Sequence, residues 1–306
     1  MAKRKPSDMN LLIAVDKPAG ITSHDVVARV RRALRERRVG HAGTLDPAAT
    51  GVMLVGVGQA TRLLGLLTLD TKSYIATIAF GARTNTDDSE GEVVCRAPVP
   101  DELADPAVAT ALLNGFLGPQ MQVPPAFSAI SVDGVRSYKR ARAGEDVELP
   151  ARPIEVLAAQ LLGIARATDG VPLTWTVAFT VSKGSYIRAL ARDLGTRAHS
   201  AAHLIDLRRT ASGPITLTDC VQLDDLAPDT VRSRMIDPVR ALGIPVRVID
   251  EAEAMRVRDG RALIARADER GDIALTHRDA LVAIAREHDG RLTMECVFPQ
   301  PVEGVR

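Results

Sequence analysis

The sequence predicts an α/β (α+β) protein. Three observations point there: apolar residues alternate with period two in some stretches, recur at helical spacing in others, and the two kinds of stretch follow one another along 306 residues. Hydrophobic residues make up 46% and charged ones 25% of the chain, the values of a soluble globular protein. Aromatics are only 3%, so the core must be built of Leu, Val, Ile and Ala. This length fits one large domain with a small one, or two ordinary ones.

Taken in order, Leu11 to Val15 reads as a strand and Asp16-Lys-Pro-Ala-Gly20 as a turn. A helix opens after Thr22 or Ser23, either of which can cap it, with Asp25 favourable in the first turn. Val26, Val27, Val30 and Leu34 form its buried stripe and leave Arg31, Arg35 and Arg38 outward. Then comes Gly-His-Ala-Gly-Thr-Leu-Asp-Pro-Ala-Ala-Thr, residues 40 to 50, read as a stiffened loop. Pro47 pushes Asp46 toward an extended backbone, and the apolar run Val52 to Val57 reads as a buried strand. Gln59 to Leu67 is a short helix, and Lys72 to Phe80 a strand with Tyr74, Ala76, Ile78 and Phe80 on one face. The polar stretch Gly81 to Gly91 lacks the ligand order of a calcium loop.

Residues 106 to 117 read as a helix and 120 to 130 as a proline-stiffened extended segment. Val132-Asp-Gly-Val135 is a hairpin signature. Leu173, Trp175, Val177, Phe179 and Val181 give the cleanest alternation of the chain, a central strand that runs through a Gly turn into a helix with Ile187, Leu190, Ala191 and Leu194 at core spacing. His199 and His203 have a spacing that can chelate metal on a helix; without an acid or Cys in pattern, a polar helix end is the expectation. Asp237 to Pro245 reads as a linker, followed by a small terminal unit: a helix over 252–257 and strands over 273–275, 281–285 and 292–298.

Net charge is only +1, yet six arginines and one acid, Glu36, lie between Arg29 and Arg38, and Arg136, Lys139, Arg140 and Arg142 make a second cluster. That asymmetry keeps a polyanionic partner open. Three widely spaced cysteines, Cys95, Cys220 and Cys296, indicate neither a disulfide framework nor a zinc site and fit a reducing cytoplasm. No apolar stretch is long enough for a membrane span, and residues 1–9 are expected to be a disordered tail.

The string Gly-Thr-Leu-Asp-Pro at residues 43–47 closely resembles the catalytic motif of the pseudouridine synthases, in the TruB branch that isomerises uridine 55 in the T loop of tRNA. Lys17-Pro-Ala-Gly-Ile-Thr-Ser23, Lys72-Ser-Tyr74, Ser182 to Arg188 and His203 to Thr210 resemble further motifs of that family in the same order. Ala48-Ala49 stands where the family has a bulkier residue, and Ser185 where it has Thr. The resemblance implies a mixed, largely antiparallel sheet with flanking helices over residues 10–243, an RNA-clamping insertion at about 122–150 and a PUA-like RNA-binding domain over 244–306. It implies Asp46 as nucleophile, Arg188 as its cationic partner, and Tyr74 stacking on the base and taking a proton. The same resemblance implies that His41, Tyr186 and Leu207 complete the uridine pocket. Arg31, Arg35, Arg38, Lys139 and Arg140 are the candidates for RNA phosphates, and the partner implied is the tRNA T-stem-loop, bound by a monomer.

Pseudouridine forms by breaking the bond from ribose to uracil N1, turning the base and rejoining it through C5. No redox step or group donor enters, so no cofactor and no metal are expected. One ionised nucleophile suffices, and a carboxylate in a dry pocket stays ionised only if a cation opposes its burial. Two other classes share the scaffold: a non-catalytic RNA-binding or tRNA-folding protein, and a guide-dependent synthase subunit. A phosphohydrolase with an Asp nucleophile is excluded by the lack of an Asp-x-Asp pair after a strand and of a phosphate loop.

Overall fold

In the computed structural model, which describes residues 7–68, 71–128, 131–132, 135–137, 140, 145, 149–166 and 172–306, the apolar runs Leu11–Lys17 and Thr50–Val57 pair antiparallel, Leu11 opposite Val57 and Lys17 opposite Gly51. Cys220–Gln222 joins the first of them in parallel, and Val39–Ala42 pairs antiparallel with the second. Helix Ser23–Leu34 starts from a reciprocal Thr22–Asp25 capping box and packs Val26, Val27 and Val30 on Leu11, Ile13, Met53 and Val55. The opposite face, with Leu12, Ala14, Val52 and Leu54, meets Ala274, Leu281, Ile284 and Phe298. Both strands are covered on both faces, so they read as continuous apolar runs rather than alternating ones.

The second set of contacts belongs to a five-stranded sheet in the order Val246–Val248, Asp272–His277, Ala280–His288, Arg291–Glu303, Leu263–Ile264, parallel only at its first pair. Its other face packs Ile273, Leu275, Ala283 and Ala285 on Ile249 and Val257, the latter in helix Glu251–Arg258. One core joins this sheet to the N-terminal strands, and by compactness the chain divides into Met1–Asp70 with Ala211–Arg306, and Thr71–Thr210. The expected linker is instead helix Pro238–Leu242, capped by Asp237 on the N–H groups of Val239 and Arg240, with Ala241 buried. Of the expected tail over residues 1–9, residues 1–6 lie outside the described residues, while the Ser7 N–H donates to Gln300 Oε1 at 3.1 Å and Met9 is buried.

In the unit Thr71–Thr210 the strands lie in the order Ala202–Ser212 (its last two residues belonging to the other unit), Lys72–Phe80, Thr174–Val181, Arg152–Ala165, Gly118–Gln122. The last four pair antiparallel. The predicted stripe Leu173, Trp175, Val177, Phe179 and Val181 is buried throughout, against helices Pro106–Asn114 and Ile187–Arg197. Trp175 donates its indole N–H to Leu103 O at 2.8 Å. Strand Arg152–Ala165 was not foreseen, and two register shifts, at Val156/Ala158 and Leu161/Gly163, interrupt its alternation. The hairpin Ser131–Val132 with Val135–Arg136 is present, its two turn residues lying outside the described residues. The sheets are thus mixed and largely antiparallel, as expected. Among the described residues no helix is long and apolar enough to cross a membrane.

Candidate active site

Asp46 lies in the loop between strands Val39–Ala42 and Thr50–Val57, so His41, expected in the loop, is in a strand opposite Val55. Gly43 and Gly51, at φ 88° and 106°, bend the chain on either side in a conformation side chains oppose. The turn closes on itself, with Ala49 N–H donating to Asp46 O at 3.1 Å. It is also tied from outside by the segment 17–23. Ser23 Oγ accepts from Leu45 N–H at 2.9 Å and donates to Leu45 O at 3.0 Å; Gly20 N–H and the ammonium of Lys17 both donate to Pro47 O, at 2.9 and 3.0 Å. Lys17 is wholly buried and donates to Pro18 O as well, at 2.8 Å. Every peptide flanking the half-buried Asp46 is therefore fixed, and the first motif is what fixes it. His41 meets His24 edge to face, ring centroids 5.8 Å apart.

The other unit holds Tyr74, Tyr186, Arg188 and Leu207. Tyr74 stands opposite Phe179 in the sheet, and both it and Leu207 are half-buried against the same apolar core. Arg188 is the second residue of helix Ile187–Arg197, where a cation works against the helix dipole. Contacts offset this: its Nη1 donates to Thr86 O at 3.0 Å and lies 3.3 Å from Asp88 Oδ2, and Nη2 donates to Phe127 O at 3.2 Å. One turn further, Arg192 binds the Asp87 carboxylate at 2.9 Å and Val123 O at 2.8 Å. Burial pushes the Asp87 carboxyl above the usual 3.8, with Arg192 opposing the shift. Asp87 and Asp88 escaped the sequence reading, although the polar stretch 81–91 that carries them was marked.

Of the arginines, Arg31 is exposed yet donates to Val39 O at 2.8 Å, while Arg35 and Arg38 are exposed. Together with Arg32, Glu36 and Arg37, Arg31 and Arg35 line a shallow concavity of about 490 Å³. Arg140 pairs with Glu145 at 2.7 Å, and Lys139 lies outside the described residues. The histidine pair is not on one helix: His199 follows the helix end in the left-handed region, and His203 sits on a strand with Nδ1 2.9 Å from Ala82 O. Among the described residues no cluster of His, Cys, Asp or Glu has the makings of a metal site.

Residues 31–187 match the family profile described as TruB family pseudouridylate synthase (N terminal domain), and residues 188–242 match that of the tRNA pseudouridylate synthase B C-terminal domain. The tRNA pseudouridine synthase B of Thermobifida fusca is 47% identical over 94% of this chain and 98% of its own length; that of Nocardia farcinica is 47% identical over 85% and 84%. Among solved structures, a Cbf5-Nop10-Gar1 complex matches with a TM-score of 0.70 at 25% identity, and an H/ACA RNP bound to a substrate RNA containing 2'-deoxyuridine with 0.69 at 23%; each match covers 94% of this chain and 84% of that one. With an N-terminal-domain profile of that family spanning half its length and a relative 47% identical over 94% of the chain, this chain belongs to the TruB family of pseudouridine synthases.

Proposed function

We propose that the chain isomerises uridine 55 in the T loop of tRNA to pseudouridine, with Asp46 as the nucleophile. The observation that supports this best is the fastening of the Asp46 turn at both neighbouring peptides by Ser23, Gly20 and Lys17. A turn tied on each side of one carboxylate is suited to placing that carboxylate, and the relatives named as tRNA pseudouridine synthases indicate the substrate class. A uridine in a folded loop must be flipped out at a cost of about a few kcal/mol before Asp46 can add to its ribose C1′ or base C6. Arg188 supplies the charge that keeps the nucleophile ionised, and Tyr74 stacks on the base and takes the proton released on rearomatisation. His41, Tyr186 and Leu207 shape the pocket. Arg31, Arg35, Arg38, Lys139 and Arg140 hold phosphates, residues 244–306 act as a PUA-like RNA-binding domain, and the enzyme works as a cytoplasmic monomer.

The test is turnover of an unmodified tRNA transcript with no guide RNA added, read by mapping the modified uridine. Asp46→Asn keeps size and hydrogen bonding, so it should fold and bind the transcript while forming no pseudouridine. Product above background from that variant, modification at a different uridine, or a need for guide RNA would each count against the proposal.

A further inference from the structure

We infer that Gln122 is a positioning residue for the reaction: from a distant strand it supplies the cap that helix Ile187–Arg197 lacks, and by fixing the peptide of Tyr186 it sets the direction of Arg188. The inference rests on the reading that Tyr186 and Arg188 belong to the active site.

A helix start leaves several backbone N–H groups without partners. Chains usually meet them with Ser, Thr, Asp or Asn at the N-cap, and with a Glu or Gln three residues on that reaches back to the N-cap N–H. Here the N-cap is Tyr186, extended at φ −110° and ψ 114° and making no side-chain cap bond, and three residues on stands Ala189, which has nothing to reach with. Gln122 takes over that task. Its Oε1 accepts from Tyr186 N–H at 2.9 Å, and its Nε2 donates to Tyr186 O at 3.1 Å.

Gln122 is 2% exposed and sits at the end of the edge strand Gly118–Gln122, where pairing with Arg152 holds its backbone. Tyr186 O also accepts the first intrahelical bond, from Leu190 N–H at 3.1 Å. Gln122 therefore locks the turn in which Arg188 is the second residue. A rotation of that turn carries the guanidinium off its place, and a misplacement of about an ångström near a reacting centre costs about a hundredfold in rate.

Gln122→Glu is the decisive variant. A protonated glutamic acid nearly matches glutamine in shape and repeats both bonds. The carboxylate keeps the acceptor for Tyr186 N–H but sets negative charge against Tyr186 O. Burial and that carbonyl both favour the protonated acid, so lowering the pH should restore the clamp. On saturating transcript, the variant's single-turnover rate should be about a hundredfold below wild type at about pH 8.5 and approach it at about pH 5.5, with transcript affinity within about twofold at both ends. Gln122→Leu has no proton to gain, so it should stay slow at every pH, and amide exchange at Tyr186 and Ile187 should quicken in the free protein. A rate ratio that is flat with pH, unchanged exchange, or affinity falling in step with rate would overturn the inference. If the Leu variant fails to fold, the Glu variant at low pH carries the test alone. Wild-type protein that forms no pseudouridine removes the active-site reading and this inference with it; turnover abolished by Asp46→Asn preserves that reading whatever Gln122 does.

Discussion

The turn that carries Asp46 and the helix start that carries Arg188 are both tied by buried groups, but at different levels. Around Asp46 the ties fall on peptides, those of Leu45 and Pro47. Around Arg188 they fall on the guanidinium, from Thr86 O, Phe127 O and the Asp88 carboxylate, in addition to the Gln122 clamp on the peptide of Tyr186. Side-chain length explains the difference. Aspartate has two rotatable bonds, so a fixed peptide nearly fixes its carboxylate. Arginine loses roughly 2 kcal/mol of rotamer freedom when held, so a fixed backbone leaves its head to wander unless the head is gripped too.

The largest break of this comparison is Arg188→Lys. It keeps the charge but cannot span two carbonyls and a carboxylate with one compact ammonium, so the single-turnover rate should drop about a hundredfold with transcript affinity little changed. A rate near wild type would mean that only the charge matters there. Ser23→Ala strikes the other side: the N–H and C=O of Leu45 lose their shared partner in a buried place. Stability should fall by about 1–3 kcal/mol by denaturant unfolding, and turnover should fall with it because the Asp46 turn loosens. Turnover unchanged at full folding would show that the remaining ties suffice.

A pH experiment sharpens the contrast. Burial raises the Asp87 carboxyl above 3.8, so the native state holds that proton more tightly than the unfolded chain does. The stability this group contributes is fully present below 3.8 and is lost as pH rises through the raised native value. Asp87→Asn has no such loss, so the stability of the variant relative to wild type should improve as pH climbs through that window and then level off. A difference constant from pH 3.8 upward would refute the assignment. The smallest effect is Arg35→Gly. Arg35 closes helix Ser23–Leu34 at φ 51°, where glycine is preferred, and the change should raise stability by about 0.5–1 kcal/mol in thermal unfolding. The same variant should weaken the salt dependence of transcript binding by a slope of about one if Arg35 meets a phosphate.

What was legible in the sequence depended on whether burial repeats along the chain. The strand Thr174–Val181 was read because one face is apolar throughout, and helix Ile187–Arg197 because Ile187, Leu190, Ala191 and Leu194 keep helical spacing. Strand Arg152–Ala165 was missed because its inward residues are Ile154 and Val156, then Ala159 and Leu161, then Ile164: each irregularity shifts the phase by one. The Asp46 string stood out as a motif, but the reach of Ser23 to Leu45 crosses 22 positions and follows no period. Gln122 gave no signal at all, since a glutamine in an extended, proline-rich stretch looks the same whether it faces water or caps a helix 64 residues away. The histidine pair misled because the spacing of four applies to a helix, and the helix ends at Arg197.

The two irregularities in strand Arg152–Ala165 bear on how this protein can change length. In a regular strand, one added or lost residue turns every later side chain to the wrong face. A bulge is a place where that slip has already been absorbed, with the local twist and the unpaired peptide in hand. Gain or loss of a residue beside Leu157 or Leu162, both about half exposed, can therefore be taken up by removing or shifting a bulge, while Ile154 and Val156 keep their places in the core. Single-residue insertions scanned along this strand should be tolerated there and rejected in Thr174–Val181, which makes the bulged strand the natural site for length variation among relatives.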